Sequence, residues 1–222
     1  MIRALHFLPL LALAGCGGAP SGNQAAPATN AATNTAVSRP SFDPPVPKNL
    51  PDNVRMRIET SLGAIVVALD HRHAPITVTN FVRYADDHRF DGTAFYRSVH
   101  TRGAPQEGFV QGGIAHSARL LLPPIRLEPT SETGLHHVGG TISMAHSTPD
   151  TAMGDFVLCL ADQPGLDAHP AKGDKGYAAF GRVVEGMDVV RRIHDVPTVA
   201  VGGKPSERIA APVRILKVSR AG

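Results

Sequence analysis

The chain has 222 residues, 42% of them hydrophobic, which is enough apolar content to fill the core of one domain. Its formal charge of +3 is spread thinly, with no run of five like charges, so there is no polybasic patch for nucleic acid. A nucleic-acid partner is therefore not expected.

Met1-Ile2-Arg3 gives a short positive start, and "ALHFLPLLALAG" after it is apolar but too short to span a bilayer. The stretch ends in Leu13-Ala14-Gly15-Cys16, which resembles a bacterial lipobox. Residues 1–15 are expected to be a lipoprotein signal peptide, and the sulfur of Cys16 is expected to carry the lipid. Lipoproteins kept at the inner membrane often have Asp after that cysteine. Gly17 stands there, so the expected location is the cell envelope, facing the periplasm, with the outer membrane favoured.

Residues 16–51 are rich in Ala, Asn and Thr, with seven prolines after Cys16 and almost nothing large to bury. They are expected to form a disordered tether spanning on the order of 30 Å root-mean-square, stiffened by proline at its far end.

Residues 52–222 are expected to form the folded domain. Val54, Met56 and Ile58 alternate with Arg55, Arg57 and Glu59 up to Gly63, which predicts a hairpin. Pro75 opens a helix with Val78, Phe81, Val82 and Ala85 on one face. Further strands are predicted at Ala94–Val99, Phe109–Gly112, Thr141–Ala145, Phe156–Leu160, Ala178–Val183 and Val213–Val218, and a second helix at Met187–His194. Many short strands with few helices predict a closed β-barrel.

The chemistry of bond cleavage has few candidates here. Cys159 lies in the apolar run "FVLCL" and reads as a buried small hydrophobe, because a catalytic thiol needs an accessible, electropositive setting. The histidine clusters "HRH" (His71–His73) and His136-His137 lack a carboxylate spacing that would complete a zinc site, so no metal and no cofactor are expected. What remains is Arg97 in "FYR", with Gln111 followed by two glycines.

Six pieces in order carry a resemblance: "FYR", "QGG", "GTISMAH", "DFVLCL", "GLD" and "YAAFGRVVEGMDVV". Together they resemble the cyclophilins, a family of peptidyl-prolyl cis–trans isomerases, over about Val54 to Ser219. The resemblance implies a mainly β fold, an eight-stranded antiparallel barrel capped by two α-helices. It implies Arg97 as the catalytic residue. It implies a substrate-binding surface of Phe109, Gln111, Ala145, His146, Asp155, Val157, Leu166 and Tyr177, with the backbone of Ala145 and His146 pairing the peptide like a strand. Strand alternation adds that Phe109 shares a face with Gln111, and Asp155 with Val157.

The pattern departs from the family in places. "GFVQGG" is one residue shorter than the usual Gly-Phe-x-x-Gln-Gly-Gly, which puts Phe109 where the family often has Met. Asp155 stands where many members have Gln, and Val157 where they have the Phe that floors the proline pocket. "SVHTRGAPQEG" (residues 98–108) is expected to be an inserted loop, and "DAHPAKGDKG" (residues 167–176) another at the rim. Two functions fit: an isomerase that assists folding of envelope proteins, or a proline-binding chaperone or scaffold module with weak turnover. The expected partners are proline-containing polypeptides and, through Cys16, a membrane. The domain is expected to act as a monomer.

Overall fold

Alternation sets the first strand: β1 (Asn53–Thr60) buries Val54, Met56, Ile58 and Thr60 and exposes Arg55 and Arg57. It turns through Ser61-Leu62 into β2 (Gly63–Asp70), and the Thr60 hydroxyl donates to the Gly63 carbonyl across the turn at 2.7 Å. This is a computed structural model, and it describes residues 43–47, 49–201 and 204–222. The expected signal peptide, Cys16 and most of the expected tether lie outside them.

Helix α1 (Pro75–Asp86) follows, with proline at its first position, where a missing N–H does no harm. Then come β3 (Ala94–Thr101), β4 (Ala104–Gly113), the single-turn α2 (Thr130–Thr133), β5 (Thr141–Met144), β6 (Asp155–Cys159), β7 (Ala178–Glu185), α3 (Met187–His194), β8 (Thr198–Val201) and β9 (Lys204–Arg220). The strands pair in the order β1-β2-β7-β5-β6-β4-β3-β9, and β9 returns to β1. Every pairing is antiparallel, so eight strands close a barrel with no free edge, and β8 hangs outside the circuit on β9.

A cluster of aromatic rings lies within the largely aliphatic core. The Phe81 ring of α1 lies 4.9 Å from Phe90, 5.4 Å from Phe156 and 5.5 Å from Phe180, centroid to centroid. Helix α1 packs against β2, β7 and β9, and α3 against β2, β3 and β4. These are the two helices the sequence predicts; α2 is a third, too short to show a helical period.

Residues 98–108 are not an inserted loop. Strand β3 continues to Thr101 and β4 starts at Ala104, with Val99 opposite Phe109 and His100 opposite Gly108. Polar residues cover this extension, so it lacks the apolar alternation of a barrel strand. Gly103, at φ +87°, makes its tight turn. The last strand is also longer than expected, starting at Lys204 rather than Val213, and its first part pairs with β8.

The chain meets the domain ahead of β1. Asp43 accepts a hydrogen bond from the Arg126 backbone N–H at 2.8 Å, and Leu50 packs against the core. Pro44, Pro45 and Pro47 line a groove with Val82 and Arg83 of α1.

Candidate active site

A bulge in β3 builds the site. Phe95 pairs with Gly112 and Arg97 with Gln111, so Tyr96 is an extra residue in the ladder. Phe95 stays fully buried in the barrel, while both Tyr96 and Arg97 reach Gln111 on the neighbouring strand. Arg97 Nη1 donates to Gln111 Oε1 at 2.8 Å, and Gln111 Nε2 donates to the Tyr96 hydroxyl at 2.9 Å. The amide is thus held at both ends and its orientation is fixed by its partners.

The two glycines after Gln111 have separate reasons. A side chain on Gly112 would run into the Phe95 ring at 2.7 Å. Gly113 sits at φ +125° against the Gly154 carbonyl, leaving no room for a Cβ.

Beside Arg97 opens a cavity of about 270 Å³, lined by Arg97, Phe109, Gln111, Met144, Ala145, His146, Val157, Leu166 and Tyr177. It brings together eight of the nine residues that the sequence places in the domain's site. Val157 faces Gln111 across β4 and β6 and Ser143 across β5 and β6, which puts it in the middle of the wall. The Arg97 guanidinium lies 5.4 Å from the centre of the Phe109 ring. Phe109 therefore is a wall of this cavity, despite the shortened "GFVQGG".

Asp155 is the ninth, and it lies apart. It lines an adjoining cavity of about 400 Å³ with His116, Thr148, Thr151 and Met153, which shares Gln111, Ala145 and His146 with the first. Its side chain is almost fully buried, and Oδ1 accepts from the Ala115 N–H at 2.8 Å. Burial, together with this carboxylate, raises the Tyr96 phenol above its ordinary range, so Tyr96 stays protonated. The Ala145 N–H is also occupied, donating to the Asp155 carbonyl at 2.9 Å.

The far wall is a stacked pair. The His146 and Tyr177 rings lie 4.4 Å apart at 22°, and His146 Nε2 is 3.0 Å from the Gly176 carbonyl. Burial pushes His146 below the usual histidine range, which keeps this wall uncharged near neutral pH. Leu166 ends a short 3₁₀ turn, and its carbonyl accepts from the Tyr177 N–H at 2.9 Å. That bond closes the base of residues 167–176, so the expected rim insertion is pinched off from the cavity. Cys159 is buried, and burial pushes its thiol up to about 12, which leaves it unreactive near neutral pH. The histidine clusters serve carboxylates: His73 pairs with Asp70, and His136 and His137 both pair with Asp167.

A model of the family described as "Cyclophilin type peptidyl-prolyl cis-trans isomerase/CLD" matches residues 55–220. The chain belongs to the cyclophilin family. Peptidyl-prolyl cis-trans isomerase A of Dickeya dadantii (strain 3937) is 38% identical over 177 residues, 78% of this chain and 86% of its own length. A peptidyl-prolyl cis-trans isomerase of Acinetobacter baylyi is 33% identical over 170 residues, 75% of this chain and 85% of its own. The crystal structure of a Cryptosporidium parvum cyclophilin type peptidyl-prolyl cis-trans isomerase superposes with a TM-score of 0.63 at 17% identity. It covers 77% of this chain and 98% of the other, and it shows the barrel.

Four residues around this cyclophilin's cavity escape the sequence reading. Tyr96 is hidden because strict alternation would turn it away from Arg97, and only the bulge turns it back. Met144 adjoins Ala145 and could have been added from "GTISMAH". His116 follows the glycines in a loop of positive φ, with Nδ1 3.8 Å from Asp155 Oδ2. Glu207 comes from the other end of the chain, and its Oε2 lies 2.7 Å from Arg97 Nη2. No local pattern signals it.

Proposed function

We propose that this cyclophilin accelerates rotation about X–Pro peptide bonds in proteins of the bacterial cell envelope, with Arg97 as its catalytic residue. The observation that carries the reading is Arg97 fixed by Gln111 at the mouth of a cavity whose apolar side is formed by Phe109, Met144, Val157 and Leu166. The cavity has room for a proline ring. No bond is cut in this reaction, so neither a nucleophile nor a metal is required.

The barrier to rotation is lost amide resonance, about 18–20 kcal/mol, and the uncatalysed flip takes tens of seconds or longer. As the amide twists, its nitrogen recovers a lone pair and becomes a hydrogen-bond acceptor. A donor aimed at that nitrogen binds the twisted state and gains little from the planar one. Arg97 is a permanent cation with several donors in fixed geometry. In this reading the apolar walls grip the ring, Gln111 braces the guanidinium, and the backbone near Ala145 and His146 lies alongside the peptide.

The envelope location rests on Leu13-Ala14-Gly15-Cys16 and the proline-rich stretch that follows. On that basis Cys16 carries a lipid, and the domain works near a membrane facing the periplasm on proline-containing clients. The competing reading, a proline-binding scaffold, draws on Val157, a smaller floor than Phe. Exchange NMR on an Ala–Pro peptide with substoichiometric protein separates the two. Cis–trans exchange peaks are expected, and binding without exchange would establish the scaffold instead.

A further inference from the structure

The acidic partner of Arg97 comes from outside the strands that line the cavity. Glu207 of β9 accepts from Arg97 Nε at 2.8 Å, and the same oxygen lies 2.7 Å from Nη2. Gln111 takes Nη1 at 2.8 Å. A guanidinium carries five N–H donors. Glu207 occupies the Nε donor and Gln111 one on Nη1, while Nη2 lies against Glu207 as an ion-pair contact. Three donors are left on the terminal nitrogens, one on Nη1 and two on Nη2.

The path of β9 brings Glu207 there. Phe95 pairs with Val213, but Arg97 pairs with Arg208, so residues 209–212 leave the ladder with β3 opposite Tyr96. This offset carries the first part of β9 alongside Arg97. The two side chains are 39% and 53% exposed, and an ion pair so exposed adds little to stability. What the contact does is fix direction: Glu207 holds one edge of the guanidinium, Gln111 one terminal nitrogen, and Phe109 lies close to the group.

We propose that Glu207 is a positioning residue for isomerisation, setting the plane of the Arg97 guanidinium so that its remaining terminal donors point at the twisting amide. The proposal rests on the isomerase reading of Arg97. It differs from a masking role, in which Glu207 would withhold Arg97 until peptide displaced it.

The test uses the full chain, with exchange NMR on a proline peptide and the arginine Nε–H spectrum measured in parallel. The Arg97 resonance is identified by its loss in Arg97→Ala. In Glu207→Ala, kcat is expected to fall about 10-fold or more, because a small misplacement of a transition-state donor is costly. KM is expected to stay within about twofold, since the apolar walls are untouched. Glu207→Gln is expected to recover most of the rate, because its amide oxygen still accepts from Nε–H. The Arg97 Nε–H signal is expected to be sharp and shifted in the wild type and Glu207→Gln, and to move to the free-arginine position in Glu207→Ala. An unchanged signal in Glu207→Ala overturns the proposal, as does an unchanged kcat. A raised kcat establishes masking in its place. A wild type without turnover overturns the isomerase reading itself, and the resonance then still reports whether Glu207 holds Arg97.

Discussion

His137 Nδ1 lies 2.6 Å from Asp167 Oδ1, with the imidazole shut off from solvent, and Asp167 directly follows Leu166 at the cavity rim. The other ring nitrogen is 2.8 Å from the Ser143 hydroxyl, on the strand that runs into Met144 and Ala145. His137 therefore ties the rim to the wall. His136 takes the second Asp167 oxygen at 2.9 Å. A histidine pair that could be mistaken for metal ligands is a brace built on one carboxylate.

That brace gives the domain a pH-dependent stability. Burial pushes His137 below the usual histidine range despite Asp167, and burial does the same to His146 and His194. In the unfolded chain each binds a proton as pH falls through about 6.5. The folded state takes its protons only at lower pH, so the unfolded state binds more and stability falls on acidification. Asp167 acts in a lower window. Against the upward push of burial, hydrogen bonds from His137 and His136 lower its carboxyl. Its contribution is present at neutral pH and is lost only as pH falls through that lowered value. Urea midpoints at pH 7.5 and 5.5 check this. The acid midpoint is expected to be lower, and His137→Gln is expected to narrow the gap; a midpoint that rises in acid contradicts the assignment.

Helix α1 depends on a residue far away in sequence. Glu128 Oε2 accepts from both the backbone N–H and the hydroxyl of Thr77, at 2.8 and 2.6 Å, and Oε1 accepts from the Ile76 N–H at 3.0 Å. The cap position, Ala74, has no side chain for that task. A buried carboxylate at a helix N-terminus satisfies free donors and meets the positive end of the dipole. Glu128→Ala is expected to cost about 2–3 kcal/mol, since it strands these donors in a buried site. Denaturant unfolding measures it, and a loss below about 0.5 kcal/mol would mean water replaces the carboxylate freely.

Much of this architecture was legible in the sequence because local patterns encode it. Alternation in "VRMRIE" and the helical spacing of Val78, Phe81, Val82 and Ala85 report burial directly. The cavity residues Phe109, Gln111, Val157 and Leu166 lie on motifs that could be matched one by one. The rest depended on geometry that no short stretch records. Tyr96 joins the site only through a bulge, and Glu207 only because β9 bends opposite it. The β3–β4 extension looked like a loop because solvent covers it, so its strands carry polar residues. Alternation puts Asp155 on the face of Val157, but its carboxylate turns to the Ala115 backbone rather than into the proline-sized cavity.

The proposed membrane anchor is tested at Cys16. The thioether that carries the lipid needs sulfur, so Cys16→Ser is expected to abolish lipid attachment and stable membrane association. The folded domain begins well downstream of residue 16, so folding is expected to be unaffected. Fractionation of cells expressing each form reads the outcome. A variant that remains processed and membrane-bound rules out the lipobox.

Arg97 carries the sharpest expectation. Its guanidinium stands at the mouth of the cavity, 39% exposed, so it supports no core packing. If its donor meets the twisted amide nitrogen, Arg97→Ala is expected to lower kcat/KM by roughly 10²–10³, the range for deleting one preorganised transition-state donor. Arg97→Lys is expected to recover only part of this, because a flexible ammonium cannot span Gln111, Glu207 and the substrate at once. Peptide affinity is expected to fall much less than the rate, since Phe109, Met144, Val157 and Leu166 still form the cavity. The melting temperature is expected to stay nearly constant. Line-shape analysis of a proline peptide yields rate and affinity for each variant in one measurement. Equal catalysis by the wild type and Arg97→Ala would remove Arg97 from the mechanism and leave the cavity as a binding site alone.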